Sequence, residues 1–93
     1  MKILSKANLI TEMAKSILNK DKYFAVEVNV PNCKESQTEI IINKIEALDT
    51  KIEYYSNAYD ENLFLKNCSD IFITNFTRAN SFEEIELKFK NRK

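Results

Sequence analysis

A chain of 93 residues, with 14 Lys and Arg against 14 Asp and Glu, is sized for one domain and carries no net charge to steer it towards nucleic acid or an anionic membrane. It contains no His and no Gly, which excludes Ser-His and Cys-His nucleophiles, the common zinc sites, P-loops, Gly-rich dinucleotide fingerprints and nucleophile elbows. Apolar residues at 44% and charged residues at 30% suit a globular domain, and neither a signal peptide nor a bilayer-spanning apolar run is apparent, so the expected location is cytosolic.

Ser5 to Asn19 reads as a first helix. Ser5 is the N-cap, and Leu9, Ile10, Met13, Ile17 and Leu18 form the apolar stripe. Tyr23 to Val30 is the clearest strand: Phe24, Val26, Val28 and Val30 alternate with Tyr23, Ala25, Glu27 and Asn29, giving one apolar face and one half-polar face. Pro31 ends it, PNCKES turns the chain, and Gln37 to Asn43 returns as a second, antiparallel strand. Leu48, Ile52, Tyr55, Tyr59 and Leu63 then recur at helical steps, which predicts a helix from about Ala47 to Leu65. NCSD closes that helix, and Ile71 to Phe76 is a third strand. From Ser81 onward two patterns compete. Ser81 with Glu84 makes a capping box, with acids early and bases late, as in a helix; Ile85, Leu87 and Phe89 also alternate as in an edge strand. Cap and charge order together favour the helix.

The stretch EYYSNAYDENL concentrates the side chains that could meet a partner. Tyr55 and Tyr59 belong to the apolar stripe, whereas Tyr54 is offset by about a quarter turn and is the candidate exposed aromatic. Between Glu46 and Glu61 the acids Glu46, Asp49, Glu53, Asp60 and Glu61 face a single base, Lys51. Exposed Tyr among carboxylates has the composition of an interface anchor. The acids have no EF-hand spacing, so a solvated helix face is preferred to a cation site. Cys33 and Cys68 form no CxxC pair and are expected as free thiols. Bases gather at Lys2, Lys6, Lys15, Lys20 and Lys22, and again at Lys88, Lys90, Arg92 and Lys93. These two ends are the candidate surface for nucleic acid.

The run IINKIEALDTKIEYYSNAYDENLFLKN, followed by DIFITNF, resembles a group of short phage and prophage proteins of low-GC Gram-positive bacteria. In that group a strand leads into a YYxNAYDENLxLK core and then an alternating strand. The matching residues here are Ile40 to Asn43, Lys51 to Lys66 and Ile71 to Phe76, roughly half the chain. The resemblance implies an accessory protein of a mobile element and assigns no reaction. By analogy of fold alone, small Gly-poor α+β proteins from such genomes include anti-CRISPR inhibitors.

The combined expectation is an α+β domain ordered α-β-β-α-β-α, with a small, mainly antiparallel three-stranded sheet and helices packed on one face. It is expected to be non-enzymatic, with no catalytic residue, cofactor or metal. Its function is expected to be binding of a host protein, in the sharpest form a CRISPR–Cas effector in the host bacterial cytosol, through Asp49, Glu53, Tyr54, Asp60 and Glu61. The alternative is a phage accessory protein that binds nucleic acid through its basic termini. A homodimer is left open, and no membrane partner is expected.

Overall fold

The strand and helix patterns resolve into a four-stranded antiparallel sheet with three helices in a computed structural model, which describes residues 4–30 and 37–90. The order is α1 (Lys6–Asn19), β1 (Tyr23–Val30), β2 (Gln37–Lys44), a 3₁₀ turn (Ile45–Ala47), α2 (Leu48–Ala58), β3 (Phe64–Leu65), β4 (Cys68–Ala79) and α3 (Phe82–Lys90). The strands lie side by side as β2-β1-β4-β3, and each neighbouring pair is antiparallel. The PNCKES turn with Pro31 and Cys33, the base Lys2, and the tail bases Arg92 and Lys93 lie outside the described residues.

Helix α1 begins where Ser5 Oγ accepts the Asn8 N–H at 3.2 Å and ends in a Schellman motif. There the Lys20 N–H donates to Ile17 O at 3.2 Å and the Asp21 N–H to Ser16 O at 3.1 Å. Such a turn needs a left-handed residue. In a chain without Gly, Lys20 fills the position at φ 58°. The buried face of α1 is Leu9, Met13 and Ser16. Ile17 and Leu18, expected in the stripe, turn outward instead, Leu18 to 81% exposure. The helix meets the sheet one residue earlier in its last turn than the apolar letters suggest.

Strand alternation divides the core. Phe24, Val26 and Val28 of β1 and Ile73 and Phe76 of β4 share the inner face, under Leu9, Met13, Leu48, Tyr55, Tyr59 and Leu63. The Phe24 and Phe76 rings stack across the two strands at 6.1 Å, and burial of each such side chain contributes about 1.5–3 kcal/mol. On the opposite face, Ala25 and Ala79 make room for Ile85 and Phe89 of α3, with Tyr23 packed alongside. The helices therefore cover both faces of the sheet, not one. The half-polar face of β1 is apolar where α3 needs it. Glu27, further along that face, is buried and accepts the Thr74 hydroxyl at 2.7 Å. Thr74 is the extra residue of a bulge, since Glu27 pairs with Asn75 and Val28 with Ile73.

The terminal pattern is a helix. The Glu84 N–H donates to Ser81 Oγ at 3.1 Å, and Glu84 Oε1 accepts the Asn80 N–H at 2.8 Å, one residue before the N-cap. That backbone N–H, followed by Lys88 at 3.2 Å, holds the Glu84 carboxyl below its ordinary range. Among the described residues, no helix is long and apolar enough to cross a membrane.

Candidate functional site

Leu48, Ile52 and Tyr55 set α2 on the core, and about 100° per residue then carries Asp49, Glu53 and Tyr54 outward. All three are exposed. Asp49 sits in the first turn, where its charge complements the helix dipole, and its Oδ1 accepts the Thr50 N–H at 2.8 Å. Tyr54 is 49% exposed, yet its ring is braced. It meets the Tyr55 ring edge-on at 5.2 Å and the Tyr59 ring at 6.3 Å, and Lys51 Nζ lies 5.7 Å from its centroid.

Tyr55 and Tyr59 are buried, as expected, and burial is the main reason both phenols are shifted upward, Tyr59 to about 12. A hydrogen bond with Asn43 partly offsets the shift at Tyr55. Asn43 is itself buried and donates to Phe24 O at 3.1 Å, so it ties α2 to β1 through β2.

The expected four-turn helix stops at Ala58, and the reason lies in side chains that capture the backbone. The Tyr59 backbone is extended, at φ −113° and ψ 149°. Asp60 Oδ1 accepts the N–H groups of Asn62 at 2.9 Å and Phe64 at 3.0 Å, while the Leu63 N–H closes a turn on Asp60 O at 3.0 Å. The orphan carbonyls of α2 find outside donors. Lys6 Nζ donates to Ser56 O and Tyr59 O at 3.0 and 3.1 Å, and the Lys66 N–H to Ala58 O at 2.9 Å. Leu63 pays for this reversal with φ 70° while remaining fully buried. Residues 64–79 then form the β3–β4 hairpin, with Leu65 opposite Cys68. β3 is the strand missing from the expected three.

Of the five expected contact residues, Asp49, Glu53 and Tyr54 therefore share the outward side of α2, and Glu61 is exposed just beyond it. Asp60 is different: its carboxylate organises the turn. Among the bases, Lys6 caps α2, Lys15 lies 3.5 Å from Glu12, and Lys88 bonds Arg78 O at 3.0 Å. Cys68 is a free, exposed thiol. Among the described residues, no group of three or more Cys, Asp or Glu is placed to hold a metal ion.

Two hollows are lined by none of the five expected contact residues. One of about 320 Å³ is lined by Lys22, Tyr23, Lys44, Ile45 and Glu46, beside the Tyr23–Phe82 ring stack at 4.9 Å. The other, about 170 Å³, is lined by the ion-paired Asp21 and Arg78 together with Ala79, Asn80, Glu84 and Lys88. Sequence reasoning also passed over β2 as a surface, although EIIIN carries a signal: three consecutive isoleucines cannot all face one side of a strand. Compared with protein-family models, curated proteins and solved structures, the chain matches none.

Proposed function

We propose that the chain is a non-enzymatic, phage-derived protein-binding module, in its sharpest form an inhibitor that docks on a host CRISPR–Cas effector through the outward side of α2. The observation that carries this reading is Tyr54, an aromatic ring left half in solvent while Tyr55 and Tyr59 hold it in place. A braced ring loses little side-chain freedom on binding, which is what makes Tyr an effective anchor. Asp49 and Glu53, one turn apart and exposed, supply the negative potential that a basic nucleic-acid channel would attract. Asp60 is removed from the contact set, because its carboxylate serves the turn. Nucleic-acid binding is less favoured, since Lys6, Lys15 and Lys88 already have partners within the fold.

The test is retention of purified Cas effectors by the immobilised chain, alongside inhibition of target cleavage. The unmodified chain is compared with Y54A and with D49K/E53K. An effector held by the unmodified chain, and bound at least about tenfold more weakly by both variants, supports the reading. Equal retention by all three moves the interface elsewhere. If no effector is retained but the chain shifts nucleic acid in a salt-dependent manner, the basic termini become the site.

A further inference from the structure

Strand β2 is the outermost strand of the sheet, and its other neighbour position is open among the described residues. Its register with β1 runs from Tyr23↔Lys44 to Val30↔Gln37 without a shift, so the edge is regular along its length. Backbone groups on the outer side of such a strand are a template for another strand, and soluble proteins commonly blunt them with Lys, Pro or a bulge. At the centre of β2 stand Ile40, Ile41 and Ile42, exposed by 44%, 41% and 41%. Ile41 shares the inner face with Val26, while Ile40 and Ile42 share the outer face with Glu27 and Ala25. The edge is therefore apolar on both faces. A single exposed isoleucine needs no explanation; three in succession on an open strand do.

We propose that a second copy of this chain completes the edge, β2 pairing antiparallel with the partner's β2 about a two-fold axis at Ile41 and joining the two sheets into one. A two-fold axis perpendicular to the sheet must pass between a residue and its own copy, which limits the register to centres on single residues. Centred on Ile41, the pairing sets Ile41 against the partner's Ile41, Ile40 against the partner's Ile42, Glu39 against the partner's Asn43 and Thr38 against the partner's Lys44. Apolar meets apolar on both faces. A centre at Ile40 puts Glu39 against the partner's Ile41. A centre at Ile42 puts Lys44 against the partner's Ile40. Hydrophobic matching thus selects one register. The proposal stands independently of any function for α2.

Sedimentation equilibrium of the full chain across a dilution series, with I41K beside it, reads the association directly. A reversible dimer whose dissociation constant rises at least tenfold in I41K is expected, with the circular dichroism of the variant unchanged. A second measurement holds even if I41K fails to fold. With Cys33 and Cys68 replaced by Ser, I41C should oxidise readily to a cross-linked dimer. E39C should not, because this register separates the two copies of residue 39 by about four strand rises, roughly 13 Å, beyond the ~7 Å Cα reach of a disulfide. A chain that stays monomeric at every concentration overturns the proposal, as does a dimer insensitive to I41K in its folded form. Cross-linking of E39C as fast as I41C overturns the register. A monomer that takes up an unrelated extended peptide along β2 replaces the second copy with strand addition by another protein.

Discussion

The ammonium of Lys6, at the first position of α1, donates to the carbonyl oxygen of Tyr59 at 3.1 Å, across 53 positions of sequence. The same nitrogen reaches Ser56 O, and the Lys6 backbone N–H donates to Glu61 O at 3.0 Å. One residue thus fastens the start of α1 to the end of α2 by both its main chain and its side chain. K6M keeps the apolar stem and removes the charge-assisted donor. It is expected to cost about 1–3 kcal/mol in urea denaturation, because two helix-terminal carbonyls lose their donor.

The Asp60 carboxylate holds a turn, and substitution can tell that role apart from the contact role proposed for Asp49 and Glu53. In D60N the amide oxygen can still accept the Asn62 and Phe64 N–H groups, so D60N is expected to fall within about 0.5 kcal/mol of the unmodified chain. D60A leaves both donors without that acceptor and should lose about 1–3 kcal/mol. Binding to a partner, measured at a temperature where both variants are folded, should change little in either. D49K/E53K should show the reverse: reduced binding and near-normal stability.

At Lys20 the fold asks for a residue the chain does not contain. Its φ of 58° closes the Schellman turn of α1, and the side chain is exposed. K20G removes the steric penalty of the left-handed region and should raise the denaturation midpoint, by an amount equivalent to about 0.5–1 kcal/mol. Leu63, at φ 70°, offers no such gain, since it is fully buried in the core and L63G would lose more in burial than it recovers in backbone strain.

Alkaline titration should report the tyrosine cluster. The folded chain raises the Tyr59 phenol from 10.0 to about 12, chiefly through burial, and raises Tyr55 for the same reason. A raised folded pKa favours the protonated form. The associated stability is therefore fully present below pH 10 and is lost as pH climbs towards 12, with a slope of up to about 1.4 kcal/mol per pH unit for each group. Denaturation midpoints measured across that window should fall, and Y59F should flatten the decline. A midpoint independent of pH there would place the Tyr59 hydroxyl in water.

Which parts of this molecule were legible beforehand follows from how local their causes are. The Ser5 cap, the β1 alternation and the Ser81–Glu84 cap are settled within a few residues, and each appears where the sequence puts it. The exposure of Tyr54 and the burial of Tyr55 followed from helix geometry alone. The end of α2 did not. Leu48 to Leu63 keeps helical spacing throughout, but Lys6, Asp60 and Lys66 take over the backbone beyond Ala58, and one of these arrives from the far end of the sequence. Tyr59 and Leu63 are buried as a helix would have them, by a different path. The placement of α3 was hidden for a related reason: Ala25 and Ala79 read as minor residues until a helix is seen to need the space above them.

That second face has a consequence for motion. α3 is held by Ile85 and Phe89 against Ala25 and Ala79, with Tyr23 at the margin, while the larger apolar cluster, with both other helices, lies on the far side of the sheet. Lifting α3 leaves every strand pair and the inner cluster intact. The helix is therefore expected to open as a separate unit, its amide protons exchanging with solvent through partial detachment at a free energy below that of global unfolding. The amides of β1, and of β4 from Ile73 to Ala79, are expected to exchange when the whole domain opens.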